Sequence, residues 1–218
     1  MRIYSIFNSI DGEVNKFGQG CFTTFIRFAG CNLRCSYCDT KYALESSSGC
    51  EMSLLEVINR VEQIGCNKVT ITGGEPLFQW DACFNVLEEL TIRGHLLSLE
   101  TNGTYSNLSS LFDICGSIVV DYKIYGPRMD IEEEKSIYRP LRSCDFIKFV
   151  VENEDMFYDA VMMVGVFKRM DCKAKIAFSP VYGKQFENKL IELLKKEKLF
   201  DCMVNFQLHK YVGLTEEK

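Results

Sequence analysis

A chain of 218 residues, 47% hydrophobic and 25% charged, can bury a sizeable core and falls in the range of one α/β domain or two small ones. Its net charge of −5, without a Lys/Arg cluster, argues against a nucleic-acid backbone as partner. No apolar run approaches membrane-spanning length, and the start MRIYSIFNSIDGEV turns polar too early for a secretory signal. These features predict a cytoplasmic protein with neither a membrane nor a nucleic-acid partner.

In chain order, CFTTFIRFAG (21–30) reads as a strand, and Ser53 followed by Glu56 is a capping-box pair opening a helix to about Ile64. NKVTITGG (67–74) is the next strand, followed by helical apolar spacing over 81–92. HLLSLETNG (95–103), GSIVVDYK (116–123) and CDFIKFVVEN (144–153) continue the strand series. A helix is predicted over 154–169, then a strand in CKAKIAFSPV (172–181). Phe186, Leu190, Leu193 and Leu194 mark one face of a helix over 185–198, and MVNFQLHK (203–210) reads as a last strand.

Most of these strands are β-branched and apolar runs, as expected for parallel strands covered on both faces. Alternating β and α elements imply right-handed crossovers and a parallel sheet curled into a full or partial barrel. No linker or repeat divides residues 1–218, which predicts one domain. In such a fold the functional groups belong at the C-terminal strand ends. AGCNLRCSYCDT, TGGEP, ETNG, DYK, SPV and QLHK all fall at those ends.

Eight of the eleven cysteines (21, 50, 66, 83, 115, 144, 172 and 202) are scattered and read as small buried hydrophobes. A cytosolic chain of this size needs no disulfides. Cys31, Cys35 and Cys38 are different: one short loop presents three thiols with no fourth nearby. Three thiolates can hold three irons of a cubane cluster and leave the fourth iron open to a ligand with its own amine and carboxylate. The competing readings are a zinc knuckle borrowing a distant ligand, or three incidental core thiols. His95 and His209 are the only histidines, and neither is close in sequence.

The spacing Cys31-x3-Cys35-x2-Cys38, with Tyr37 before the last cysteine, resembles the signature of the radical S-adenosylmethionine (SAM) enzymes. TGGEP (72–76) resembles that superfamily's glycine-rich segment, which meets the amino group of SAM. Within the superfamily, the flanks resemble the 7-carboxy-7-deazaguanine synthase family. The matching stretches are FNSIDGEV (7–14), FIRFAGCNLRCSYCDT (25–40), ITGGEPLFQ (71–79), LETNGT (99–104), DYKIYGP (121–127), KFVV (148–151), SPV (179–181) and QLHKYVG (207–213), in the family's order.

That resemblance implies a partial TIM-like (β/α) barrel of parallel strands with abbreviated helices. It implies one 4Fe–4S cluster per chain on Cys31, Cys35 and Cys38, with SAM and Mg²⁺ beside it. The implied reaction turns 6-carboxy-5,6,7,8-tetrahydropterin into 7-carboxy-7-deazaguanine with loss of ammonia. The implied partners are an electron donor such as flavodoxin or ferredoxin and a second copy of the chain in a homodimer. Tyr37, Asp39, Gly74, Glu75, Asn102, Lys123 and the segment Phe178, Ser179, Pro180 and Val181 would line the SAM site. Thr40 would contact Mg²⁺, and Ile10, Asp11, Gly12, Arg27, Thr72 and His209 would face the pterin.

Each of these has a plainer reading: His209 as a structural histidine, Lys123 as solvated, Asn102 as a turn residue, Asp39 and Thr40 as caps of a following helix. Asp11 stands where the family usually has Gln, an acceptor-only carboxylate in place of an amide. Val14, the looser NKFGQG after it and the tail LTEEK also depart from the pattern. A second function class shares the cysteine loop: activating enzymes that install a glycyl radical on a partner protein. Those generally lack an SIxGEG-like loop and an Arg in the strand before the cysteines.

Overall fold

The chain alternates strands whose outward side chains are apolar with helices that cover them. A computed structural model describes residues 1–124 and 131–214; parts of the DYKIYGP stretch and of the tail lie outside these. The strands are β1 (Arg2–Ile10), β2 (Phe22–Phe28), β3 (Cys50–Glu51), β4 (Lys68–Gly73), β5 (Leu96–Thr101), β6 (Ser117–Tyr122), β7 (Phe146–Val151), β8 (Lys175–Pro180) and β9 (Met203–Val204). The helices are α1 (Leu54–Ile64), α2 (Trp80–Ile92), α3 (Ile131–Tyr138), α4 (Glu154–Arg169), α5 (Glu187–Lys196) and α6 (Leu208–Tyr211).

All described strands join one sheet in the order β3-β1-β2-β4-β5-β6-β7-β8-β9. From β2 to β9 every pairing is parallel, and β1 and β3 add an antiparallel edge. The edge strands β3 and β9 do not pair with each other, so the barrel is partial. Side chains bridge the gap: Asn205, just after β9, accepts from the Val14 backbone N–H at 2.7 Å.

The two faces of the parallel strands have opposite chemistry. Ile26, Phe28, Val69, Ile71, Leu97, Leu99, Ile118 and Val120 face the helices and join Ile147, Phe149 and Phe178 in one buried core. The alternate positions face inward and are largely polar: Arg27, Lys68, Thr70, Thr72, Ser98 and Lys148 are all buried there. A small second apolar group, Val14, Val119, Phe146 and Ala177, sits on that inward side. The strands therefore follow a two-residue alternation, and only one face is covered by helices.

The predicted helices form for local reasons the sequence carries. Ser53 accepts from the Glu56 backbone while Glu56 returns a bond to the Ser53 N–H, and Gly65 ends α1 in the left-handed region at φ 74°. Asn153 caps α4 by accepting from Met156 N at 2.9 Å. Three elements differ from expectation. Residues 2–10 form a full strand between β3 and β2, α3 follows β6, and the strand expected over 203–210 stops at Val204. Residues 207–210 lie in the turn of α6 and at its N-cap instead. Among the described residues no helix is long and apolar enough to cross a membrane.

Phe178, expected in the SAM segment, turns its ring into the core. Its centroid lies 5.4 Å from that of Phe149 and 5.5 Å from that of Phe157, and the residue is fully buried. Phe178→Ala should lower the unfolding free energy by about 3–5 kcal/mol in a urea titration. Phe178→Leu should recover most of that loss.

Candidate active site

One cavity of about 400 Å³ opens at the C-terminal ends of the parallel strands and is lined by residues from β1 to the segment after β9. Its roof is the loop after β2. Gly30, at φ 99°, lets that loop turn, and its N–H and that of Cys31 bond the carbonyls of Ala43 and Leu44 at 2.8 and 2.9 Å. Cys31, Cys35 and Cys38 all line the cavity and are partly buried. Leu33 N–H approaches Cys31 Sγ at 3.4 Å, and Asn102 Nδ2 lies 3.9 Å from the same sulfur.

Burial pushes the Cys31 and Cys35 thiols above their ordinary value, and at Cys35 the Lys123 ammonium pulls the other way. Three such thiolates need a cationic partner. Among the described residues no three Cys, His, Asp or Glu side chains converge on a single ion's position. Three thiols on one loop suit a cluster in which each sulfur takes its own iron.

The TGGEP turn packs backbone to backbone against this loop. A Cβ on Gly74 would come within 2.3 Å of Gly30 O and 2.7 Å of Ala43 O, and one on Gly73 within 2.2 Å of Phe28 O. Only glycine fits at either position. Glu75 is buried, and its carboxyl accepts from Leu77 N, Thr101 Oγ1 and Asn102 N at 3.0, 2.8 and 2.6 Å. Burial raises its pKa to about 7 against those bonds. Asn102 also bonds Asn32 Oδ1 at 2.9 Å, which ties the ETNG turn to the cysteine loop.

In the same cavity, Arg27 on β2 lies beside Thr72 on β4 in the parallel register. The guanidinium carbon sits 5.9 Å from the Phe7 ring centre and 5.8 Å from that of Tyr42. Thr72 donates its hydroxyl to Glu100 Oε2 at 2.7 Å. Ile10 and Gly12 reach the cavity from the loop after β1. A Cβ on Gly12 would stand 2.3 Å from His209 Nδ1, so the imidazole lies flat against that glycine. Burial and the nearby Lys210 hold His209 below its ordinary pKa, which keeps the ring neutral.

This geometry has relatives. The model of the radical SAM superfamily matches residues 25–122. The chain is 36% identical to the 7-carboxy-7-deazaguanine synthase of Clostridium acetobutylicum, over 97% of this chain and 95% of that one. It is 35% identical to the synthase of that name from Methanospirillum hungatei, over 98% of this chain and 86% of the relative. The chain belongs to the 7-carboxy-7-deazaguanine synthase family. Its fold is similar to that in the crystal structure of QueE from Escherichia coli, with a TM-score of 0.67 and 19% identity over 94% of this chain and 92% of that one. A radical SAM family member uses a 4Fe–4S cluster and SAM, and the thiols and the close-packed glycine turn fit both.

Most of the residues that the family resemblance named gather around this cavity. Tyr37, Asp39, Thr40, Gly74, Glu75, Asn102, Lys123, Ser179, Pro180 and Val181 line it, as do Ile10, Gly12, Arg27, Thr72 and His209. Asp39 is held by Gln207 at 2.9 Å and by Lys210, and Lys123 pairs with Asp121 at 2.7 Å. The Thr40 hydroxyl does not cap the short 3₁₀ turn Lys41–Ala43 and lies 3.7 Å from Cys38 Sγ. Asp11 and Phe178 do not line the cavity: Asp11 turns down to Lys68 at 2.7 Å, and Phe178 turns out to the core.

The lining residues that escaped the sequence reading include the charged Glu13, Glu100, Asp121, Lys148 and Lys210. Lys148 pairs with Glu13 at 2.7 Å and lies 3.7 Å from Asp121. Asn205 donates to the same Glu13 oxygen at 2.7 Å. Glu100 is raised to about 8, first by burial and then by Glu13, with Lys148 opposing. For Glu100, Asp121 and Lys148 the available signal was the inward phase of the strand, where a charged residue interrupts an apolar run.

Anaerobically reconstituted protein should hold about four irons per chain. Cys31→Ala, Cys35→Ala and Cys38→Ala should each lose that iron and the visible absorbance of the cluster. Cys83→Ala, in the core under α2, should keep both. Full iron content in Cys35→Ala would remove the loop from cluster binding.

Proposed function

We propose that this chain converts 6-carboxy-5,6,7,8-tetrahydropterin to 7-carboxy-7-deazaguanine with release of ammonia. The observation that carries the reading is a shared lining: one cavity is bounded both by the cysteine loop and glycine turn and by Arg27, Thr72 and Glu100. The conversion is redox-neutral, since loss of ammonia accounts for the whole change in composition. When bound, the cluster and SAM supply a 5′-deoxyadenosyl radical that removes a substrate hydrogen and later returns it.

The residues of the chain bind, orient and move protons. Arg27 takes the substrate carboxylate with its planar fork. Ile10, Gly12, Thr72 and His209 bound the pterin ring, the neutral imidazole offering one donor and one acceptor. Glu100 holds a proton at its carboxyl near neutral pH and is suited to donate it to the departing amine. Tyr37, Asp39, Gly74, Glu75, Asn102, Lys123 and residues 179–181 surround SAM. Thr40 offers a hard hydroxyl oxygen to Mg²⁺ beside the substrate carboxylate. A flavodoxin or ferredoxin would deliver the electron, and the enzyme would work in the cytoplasm as a homodimer.

The direct test is anaerobic incubation of reconstituted enzyme with reductant, SAM, Mg²⁺ and carboxytetrahydropterin, read by mass spectrometry. Absence of deazaguanine product, with a glycine labelled in a partner enzyme, would favour an activating enzyme instead. An Arg–carboxylate contact contributes roughly 1.5–3 kcal/mol, so Arg27→Ala should cost about 10- to 100-fold in kcat/KM. That variant should still bind SAM, and added pterin should no longer accelerate SAM cleavage.

The Glu100 proton gives a second expectation. A carboxyl raised to about 8 is protonated below that pH and ionises above it. Turnover that needs the proton should therefore be steady through neutrality and fall as the pH passes about 8. Glu100→Gln should slow turnover and abolish this alkaline limb. An unchanged limb in Glu100→Gln would assign it to another group.

A further inference from the structure

Beneath the cavity, Asp11 and Lys68 form an ion pair at 2.7 Å that is closed to solvent, with side-chain exposures of 0% and 5%. Neither residue lines the cavity. The same carboxylate accepts from Thr70 Oγ1 at 2.9 Å, from Asn15 Nδ2 at 3.1 Å and from the Glu13 backbone N–H at 3.0 Å. The Phe17 ring lies 5.8 Å from the Lys68 ammonium on another side.

These contacts fix a loop from below. The Asp11 backbone closes the loop, donating to Cys21 O at 2.8 Å and accepting from Gly20 N at 2.7 Å. Gly12 and Glu13, the next two residues, face the cavity. Gly12 supports the His209 ring, and Glu13 holds Lys148 and Asn205. A turn of the Asp11 side chain would therefore move the backbone of two residues that line the cavity, Gly12 and Glu13.

We propose that Lys68 is a positioning residue for the substrate: its ammonium fixes Asp11, and Asp11 sets the Gly12–Glu13 backbone against the bound pterin. This rests on the pterin reading of the cavity. A buried carboxylate stripped of its counter-ion is strongly unfavourable, whereas removing both charges together is close to neutral. In Lys68→Met the Asp11 carboxylate is forced to seek water, and the loop must leave its place. In Asp11→Asn/Lys68→Met the amide oxygen still accepts from Glu13 N and the amide nitrogen can donate to Thr70 Oγ1, without any buried charge, so the loop returns.

The test uses the full reconstituted chain and two readouts. Hydrogen exchange of residues 11–20 should speed by about tenfold or more in Lys68→Met, while exchange of the cysteine loop stays unchanged. KM for carboxytetrahydropterin should rise about tenfold or more, with SAM affinity unaltered. The double variant should recover both to within about threefold of the unmodified protein. If Lys68→Met does not accumulate as folded protein, Asp11→Asn alone serves, and it should exceed the double variant in both readouts. Unchanged loop exchange in a folded single variant, or a double variant no better than the single, overturns the proposal. Unmodified protein that neither binds nor turns over the pterin overturns the function reading, and loop exchange then still decides the role of Lys68.

Discussion

The site depends on one contact in which two backbones meet without side chains between them. Gly73 and Gly74 press against Phe28, Gly30 and Ala43 at distances that leave no room for a Cβ. Gly74 N–H bonds Phe28 O at 2.9 Å, and Glu75 N–H bonds Gly30 O at 2.8 Å, so the end of β4 and the cysteine loop move as one body. Glu75 then carries the connection to β5 through Thr101 and Asn102. The mobile part of a cluster site, its ligand loop, is thereby referred to three adjacent strands.

The same strands leave an interior that must hold charge out of water. Burying an ion is costly unless a partner and further hydrogen bonds accompany it. The described residues meet this with matched pairs: Asp11 with Lys68, Glu13 with Lys148 and Asp121 with Lys123, each at 2.7 Å. Glu100 sits beside these pairs with a Thr72 hydroxyl as its hydrogen-bond donor, and burial keeps it protonated near neutral pH. Burial and the nearby Glu13 thus raise the one carboxyl that Thr72 holds, with Lys148 opposing.

Much of this was legible. Seven parallel strands announced themselves as apolar runs closed by glycine or polar turns, and their order followed from the intervening helices. The cysteine loop and TGGEP stood out because their chemistry demands fixed spacing. The antiparallel strand β1 did not, since its residues form no long apolar run and its sequence was taken up by the loop resemblance. The stretch 207–210 misled because its strand stops at Val204, and the polar residues after it sit on a turn of helix. Lys148 and Asp121 were invisible one at a time: a lone charge in a strand reads as an end until the strands are curled and the inward positions meet.

The placement of Asp11 shows why family motifs transfer unevenly. A motif resemblance treats 10–13 as one surface facing the substrate, but Asp11 turns away from the cavity that its neighbours line. Ile10 and Gly12 reach the cavity, while Asp11 points to the first residue of β4, far from the TGGEP end of the same strand. The parallel strands divide their labour along their length: reacting groups at the C-terminal ends, and at the N-terminal ends the buried contacts that hold position. The loop from 11 to 20 touches both levels, bonding Lys68 and Ser117 below and presenting Glu13 to the cavity above. A change at Asp11 is therefore felt first as a change in the charge balance around Lys68, and reaches the substrate only through the backbone that the pair holds.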